Sequence, residues 1–416
     1  MILPCVTRKS GKLWERKRTD RAGLFSERMI CRMLKRFSVK NYKNFRDEIS
    51  IDFENTAGYQ FGTDCIVDDM ICKMLIYGRN ATGKTNLGRA LVDIRYTVVD
   101  MTIYRQSEAF LNADSTEAFA SFCYVFQLED QELVYKYDRI SDRKLGREEL
   151  IVNGIVIYRC DFKEKKYDFY NLEVIGAETA NIDRYLQVSE GRGETDEAEE
   201  SELPLLRWLI SNVAFNSDSV LIKLYEYIGK MIIITVGNNM MLPSGRIRDS
   251  FYESLEKTDK LRDLEDFLNA MGIECGLVLK KLPDGQRELY FSHDKLIPFY
   301  ENASSGTRAL LEIYRKLISR VRDAAFIYLD EFDAFYHYEM AENVIRFFKK
   351  RYPKTQIIMT THNTNLMTNR LMRPDCVFIL SKAGSLTALC DATQRELREG
   401  HNLEKMYISG EFERYE

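Results

Sequence analysis

Four residues at fixed spacing open a chemical reading of this chain. Gly78, Gly83, Lys84 and Thr85 lie in "GRNATGKT" and fit G-x-x-x-x-G-K-[ST]. Glycines there let backbone N–H groups close on an anion, and a helix N-terminus adds partial positive charge. In such a loop Lys84 reaches the β- and γ-phosphates of a nucleoside triphosphate, and Thr85 holds Mg²⁺. The flanks supply the required context. The apolar run "ICKMLIY", Ile71 to Tyr77, reads as a buried strand, and "TNLGRALVDIRY" puts Leu87, Leu91 and Ile94 on one helical face.

A phosphate loop alone binds; hydrolysis needs more. "AAFIYLDEFDAF" is an apolar strand that ends on Asp330 and Glu331. A carboxylate at the end of a parallel strand sits beside the phosphate loop. Asp330 is expected to organise Mg²⁺ and Glu331 to polarise the attacking water. The bland alternative is a strand ending in two solvent-facing acids. "TQIIMTTHNTNLM" supplies a further strand, with His362 at its polar tip. That imidazole is expected to sense the γ-phosphate, although a lone His is more often just a satisfied surface or core group. "YENASSGTRALLEIYRKLISRV" starts polar and then becomes an amphipathic helix with Leu310, Ile313, Tyr314, Leu317 and Val321 on one face. Ser304, Ser305 and Gly306 at its start form a second anion-binding helix end. Ser304 would serve either as an ordinary N-cap or as a cap on a nucleotide held by another copy; its place just upstream of Asp330 favours the second.

Bulk properties bound the reading. The chain has 416 residues, 45% of them hydrophobic, so it can bury a sizeable core. No apolar run approaches the roughly 18 residues of a membrane span. A net charge of −4 gives no global argument for nucleic-acid binding, and nine cysteines without a C-x-x-C pair suit a reducing cytoplasm. Residues 1–32 carry nine Lys or Arg against three acids and read as a disordered basic extension, or as a basic arm for nucleic acid or a partner. Ser189 to Glu202 holds seven acids and reads as a solvated loop. Phe37, Val39 and Tyr42 before Asn44, with Ile49, Ile51 and Phe53 after it, spell a first hairpin. Segments from Ser121 to Tyr158 suggest antiparallel strands. "LPLLRWLISNVAF" and "LIKLYEYIGKMIIIT" suggest helices around Trp208, and a further helix leads to a hairpin turning at Asp284-Gly285. The expected fold is therefore α/β: a phosphate-loop domain over residues 33–416, with an antiparallel β subdomain and a helical and hairpin insertion at about 203–300.

In this order and spacing the motifs resemble the ABC-type ATPase heads of the SMC and OLD families. "GRNATGKT" is similar to their Walker A loop, where the Asn80 position is often Asn and Asn86 also belongs to the nucleotide site. "ASSGT" resembles a degenerate signature, "YLDEFDAFYH" resembles Walker B with its D-loop, and "TTHN" resembles the H-switch. The resemblance implies ATP as the nucleotide and a homodimer or higher homo-oligomer that sandwiches two ATP molecules. Ala303, Ser305 and Thr307 depart from L-S-G-G-Q, His337 stands at the usual D-loop aspartate, and Gln127 is a weak Q-loop candidate that suits a sheet surface better. The end, "LREGHNLEKMYISGEFERYE", looks like the tail of a stand-alone subgroup of anti-phage operons, and the chain most resembles the ATPase of PARIS-type systems. This implies a separate effector, nuclease or toxin, because only about 50 residues follow His362, and a phage-encoded trigger. The alternative is a DNA-binding repair or chromosome-maintenance ATPase, which leaves DNA open as a partner.

Overall fold

The computed structural model describes residues 32–99, 110–141, 144–191, 203–236, 245–257, 260–320 and 324–416. Of the extension 1–32 only Arg32 is described, and it opens a strand; of the acidic stretch Ser189 to Glu202, Ser189 to Gly191 end helix Ile182–Gly191 instead of forming a loop, and the rest, like Val321, lies outside the described residues.

Two sheets hold the loop helix between them. Strands Arg32–Lys40 and Ile49–Asp52 pair antiparallel, as the alternation of Phe37, Val39, Ile49 and Ile51 predicts. Ala120–Leu128, Gln131–Arg139, Leu145–Val152, Ile155–Asp161 and Lys166–Phe169 extend them into a seven-stranded sheet. Phe122, Tyr124 and Phe126 point inward from alternate positions and are buried. The second sheet has the order Met231–Thr235, Phe326–Asp330, Gln356–Thr361, Lys73–Tyr77 and Val377–Leu380, all parallel, with Leu386–Ala388 antiparallel at its edge. Its central strands are buried along their whole length, as parallel strands covered on both faces must be. The carboxyl ends of the strands bearing Tyr77, Asp330 and Thr361 therefore come out side by side.

One expectation is corrected. "LIKLYEYIGKMIIIT" is helical only over Val220–Gly229; Met231–Thr235 is a strand paired in parallel with Phe326–Asp330. Gly229 ends the helix, and the β-branched run Ile232 to Thr235 suits a strand. The span 203–300 thus contributes a strand to the main sheet as well as helices. Its helix Leu205–Asn212 buries Trp208 against Tyr185, and the hairpin Leu277–Lys281 with Arg287–Phe291 turns at Gly285, φ +86°.

The loop helix, Lys84–Val98, is tied to the antiparallel sheet by polar contacts at full burial. Tyr124 Oη donates to Ala90 O at 2.6 Å. Asp93 Oδ2 accepts from Tyr137 Oη at 2.7 Å and from Arg139 Nη2 at 2.9 Å, and Arg139 also donates to Thr97 Oγ1 at 2.5 Å. A buried ion pair of this kind is costly to break from one side, because the remaining charge loses its compensation. Asp93→Ala is expected to destabilise the protein by about 3 kcal/mol in denaturant unfolding, and the double change Asp93→Leu/Arg139→Met to recover most of that loss. Equal destabilisation in the single and double variants would contradict this reading of the pair.

Candidate functional site

The site is built where the loop strand, the carboxylate strand and the histidine strand end together. Gly78 N donates to Thr361 O at 3.2 Å, which seats the start of the loop on the neighbouring strand. Gly78 has no room for a side chain: an added Cβ would lie 2.6 Å from Thr82 Oγ1. Gly83 has φ +103° and opens the loop helix, so the turn into the helix depends on its lacking a side chain. Lys84 is only 3% exposed, and its ammonium rests on Gly78 O at 2.7 Å and Arg79 O at 3.1 Å. Burial lowers its pKa, opposed by the carboxylates of Glu331, Asp330 and Asp333.

Thr85 Oγ1 donates to Asp330 Oδ2 at 2.7 Å, joining two motifs 245 residues apart. Asp330 is fully buried, and its other oxygen accepts from Thr360 Oγ1 at 3.1 Å. Burial pushes its carboxyl above the usual range despite these hydrogen bonds. A hydroxyl and a buried carboxylate side by side are the oxygen donors Mg²⁺ takes, so these residues fit the ion implied by the motif.

Glu331 follows Asp330, and consecutive side chains on a strand point to opposite faces. The chain escapes that rule by placing Glu331 at φ +48°, a conformation few non-glycine residues adopt. Thr360 Oγ1 accepts from Glu331 N at 2.8 Å and holds this turn. Both carboxylates then face the loop: Glu331 Oε1 lies 3.9 Å from Lys84 Nζ and is 41% exposed. Observed strain of this kind is a feature of functional sites.

The remaining expected residues are placed as follows. Asn80 is exposed on the loop, and the Asn86 amide donates to Asn44 Oδ1. His362 is exposed just past the end of its strand, and its charge acts on the Asp333 carboxyl. Ser304 caps its own helix, accepting from Thr307 N at 3.1 Å. Ser304 and Ser305 are exposed, and Gly306 packs under Phe335 O and Tyr336. Among the described residues no hydrogen bond or ion pair joins Ser304, Ser305 or Gly306 to Lys84, Thr85 or Asp330. His337 is the N-cap residue of helix Tyr338–Arg351, without a side-chain capping bond. Gln127 donates to Glu129 O at 2.8 Å within its own hairpin, away from the loop.

Several residues of the site were not assigned from the sequence. Thr360 bridges Asp330 and Glu331, and Asp333 accepts from Thr361 Oγ1 at 2.7 Å. Tyr328 Oη donates to Lys84 O at 2.5 Å, and its ring fills the space beside Gly88, where a Cβ would lie 2.4 Å from it. The polar pair Thr360-Thr361 at a strand tip was the available signal; Tyr328 and Gly88 gave none.

Residues 73–368 match a protein-family model described as "AAA domain, putative AbiEii toxin, Type IV TA system". A search of curated proteins gave no match. Solved structures similar to the chain include an Smc head bound to the C-winged helix domain of ScpA, 14% identical with a TM-score of 0.46, covering 83% of this chain and 93% of that one. An SMC head domain from Thermotoga maritima is 16% identical with a TM-score of 0.40, covering 86% and 98%. An Smc head domain with an extended coiled coil, bound to the C-terminal domain of ScpA derived from Pyrococcus furiosus, is 14% identical with a TM-score of 0.44, covering 92% and 100%.

The buried carboxyl of Asp330 gives a stability prediction. Its folded pKa lies above the ordinary aspartate value, so the ionised form disfavours the fold above that folded pKa, and the penalty fades as pH falls toward the unfolded value. Asp330→Asn should therefore raise the melting temperature of nucleotide-free protein near neutral pH, and the gain should shrink on acidification. Melting curves of both proteins without nucleotide, between about pH 5 and pH 8, check this. A variant less stable than wild type at neutral pH would contradict it.

Proposed function

The chain belongs to the AAA-domain family whose description names the AbiEii toxin and type IV TA systems, and is an ATPase; from that premise we propose that it is a nucleotide-driven switch in abortive-infection defence against phage. The observation that carries the catalytic part is the cluster of Lys84, Thr85, Asp330 and Glu331, closed by the 2.7 Å bond between Thr85 and Asp330.

In this reading the loop amides and Lys84 take the triphosphate of ATP, and the Lys84 ammonium exchanges its carbonyl partners for phosphate oxygens. Thr85 and Asp330 would hold Mg²⁺, which neutralises charge on the phosphates when bound. Glu331, aimed at the loop by its left-handed turn, orients a water for attack on the γ-phosphorus and takes its proton as the bond to the leaving ADP oxygen breaks. Asn80 and Asn86 line the same site, and His362 reads the γ-phosphate from the neighbouring strand. Ser304 and Ser305 are exposed beside the buried Gly306, and among the described residues they make no bond to their own loop, which suits service to a second copy. Two chains would then close on two ATP molecules and open after hydrolysis, a two-state element held by a phosphate. The family description, which names a putative toxin of a type IV TA system, supports a defence role, and the resemblance to PARIS-type systems makes the partner a separate nuclease or toxin effector.

Glu331→Gln is expected to bind ATP normally and to lose at least about a hundredfold in kcat, the scale of a lost general base. Near-normal turnover would remove Glu331 from that role. Pull-downs from the native operon with wild type and Glu331→Gln, each with and without ATP, should retain a nuclease or toxin in one nucleotide state only. Recovery of DNA and repair proteins instead, with ATPase stimulated by DNA, would favour a chromosome-maintenance ATPase.

A further inference from the structure

Residues 403–416 lie beyond the matched family span, yet they reach the phosphate loop. Helix Leu403–Ile408 is capped by Asn402, whose Oδ1 accepts from Lys405 N at 2.8 Å. Leu403 and Phe412 are fully buried, and Glu411 Oε1 accepts from Thr393 Oγ1 at 2.6 Å, so the segment is anchored at several points. From this anchored base two side chains touch the loop. The Glu416 carboxylate, 14% exposed, pairs with the guanidinium of Arg79, and the Tyr407 ring packs edge-on against Tyr77 at 4.8 Å between centroids. The Tyr407 hydroxyl is buried without a close hydrogen-bond partner, within electrostatic reach of Glu416, Tyr77 and Arg79. The same helix packs beside the turn Thr364–Leu366, which follows His362.

Tyr77 and Arg79 flank Gly78, and Arg79 supplies the hub of the loop through its backbone. Arg79 O accepts from Lys84 Nζ at 3.1 Å, from Thr82 Oγ1 at 3.0 Å and from Thr82 N at 3.4 Å. The residue whose carbonyl organises the loop is therefore the residue whose side chain Glu416 holds. We propose that Glu416, acting through Arg79, and Tyr407, acting through Tyr77, are positioning residues that preform the phosphate loop for ATP. The inference rests on the proposed role of this loop in holding the triphosphate. Preforming the loop lowers the ordering cost of binding. Once bound, the phosphates fix the loop by themselves, so the effect falls on ground-state and transition-state binding alike and shows in KM rather than kcat.

The test uses the full chain and four proteins: wild type, Glu416→Gln, Tyr407→Leu, and Glu413→Gln as a control on a nearby exposed carboxylate. Steady-state ATPase assays give KM and kcat at low and high salt, and melting curves monitor folding. Glu416→Gln is expected to raise KM for ATP about threefold, the scale of an ion pair with one exposed partner, with kcat unchanged. Its KM should also respond less to salt than that of wild type, because the screened pair is gone. Tyr407→Leu should raise KM in the same way, and Glu413→Gln should match wild type. An unchanged KM in Glu416→Gln would overturn the proposal, as would a raised KM accompanied by a fall in kcat and melting temperature. A lower KM would overturn it too, by showing that Glu416 withholds Arg79 from the phosphates. Wild type without ATP binding or turnover would instead defeat the assignment of the loop itself, and this inference with it.

Discussion

The hydrogen bond from Thr85 to Asp330 is the constraint on which the rest of the site depends. It joins the first turn of the loop helix to the end of a strand 245 residues later. For these two groups to meet, the strands before them must run parallel and end on one side of the sheet. The order Phe326–Asp330, Gln356–Thr361, Lys73–Tyr77 achieves this with the histidine strand in between. That intervening strand is also why Thr360 can bond to both Asp330 and Glu331. A parallel sheet needs both faces covered, and the loop helix with the tyrosine-lined antiparallel sheet covers one of them. The buried Asp93–Arg139 pair fixes the helix against that sheet, so the register of the site depends on residues far from the loop.

Packing beside the helix sets a second limit. Gly88 leaves room for the Tyr328 ring, and the hydroxyl of that ring reaches Lys84 O. Any side chain at position 88 would push the helix from the sheet and carry Thr85 away from Asp330. The strand that ends in the carboxylates thus also spaces the helix it must meet.

What was legible in the sequence was local. The phosphate loop, the two acids and the strand preceding each occupy short contiguous runs, and their meeting follows from the rule that parallel α/β sheets bind ligands at strand ends. The same logic failed at Met231–Thr235. A fully buried parallel strand lacks polar alternation, so "KMIIIT" could not be told from the end of the preceding helix by periodicity. The left-handed turn at Glu331 was equally hidden: alternation would have sent its carboxylate to the opposite face from Asp330. The contacts of Thr360, Tyr328 and Glu416 depend on neighbours tens or hundreds of residues away, and no short motif records them.

The site is charged in a way that favours an anion at Lys84 and a cation at Asp330. Lys84 is buried with its basicity lowered by desolvation, Asp330 and Asp333 are buried with their acidity weakened, and Asp333 Oδ1 is buried without a hydrogen-bond partner. Folding has paid for desolvating these groups before any ligand arrives. A triphosphate would give the lysine an anionic partner and a divalent cation would give the aspartate a cationic one, so ligand binding would relieve charge burial already present. Binding energy from that relief stabilises the joined arrangement of loop, strand and helix over the unfolded chain. A site assembled this way would respond as a unit, because the groups proposed to hold the phosphates are the same groups that hold the two motifs together.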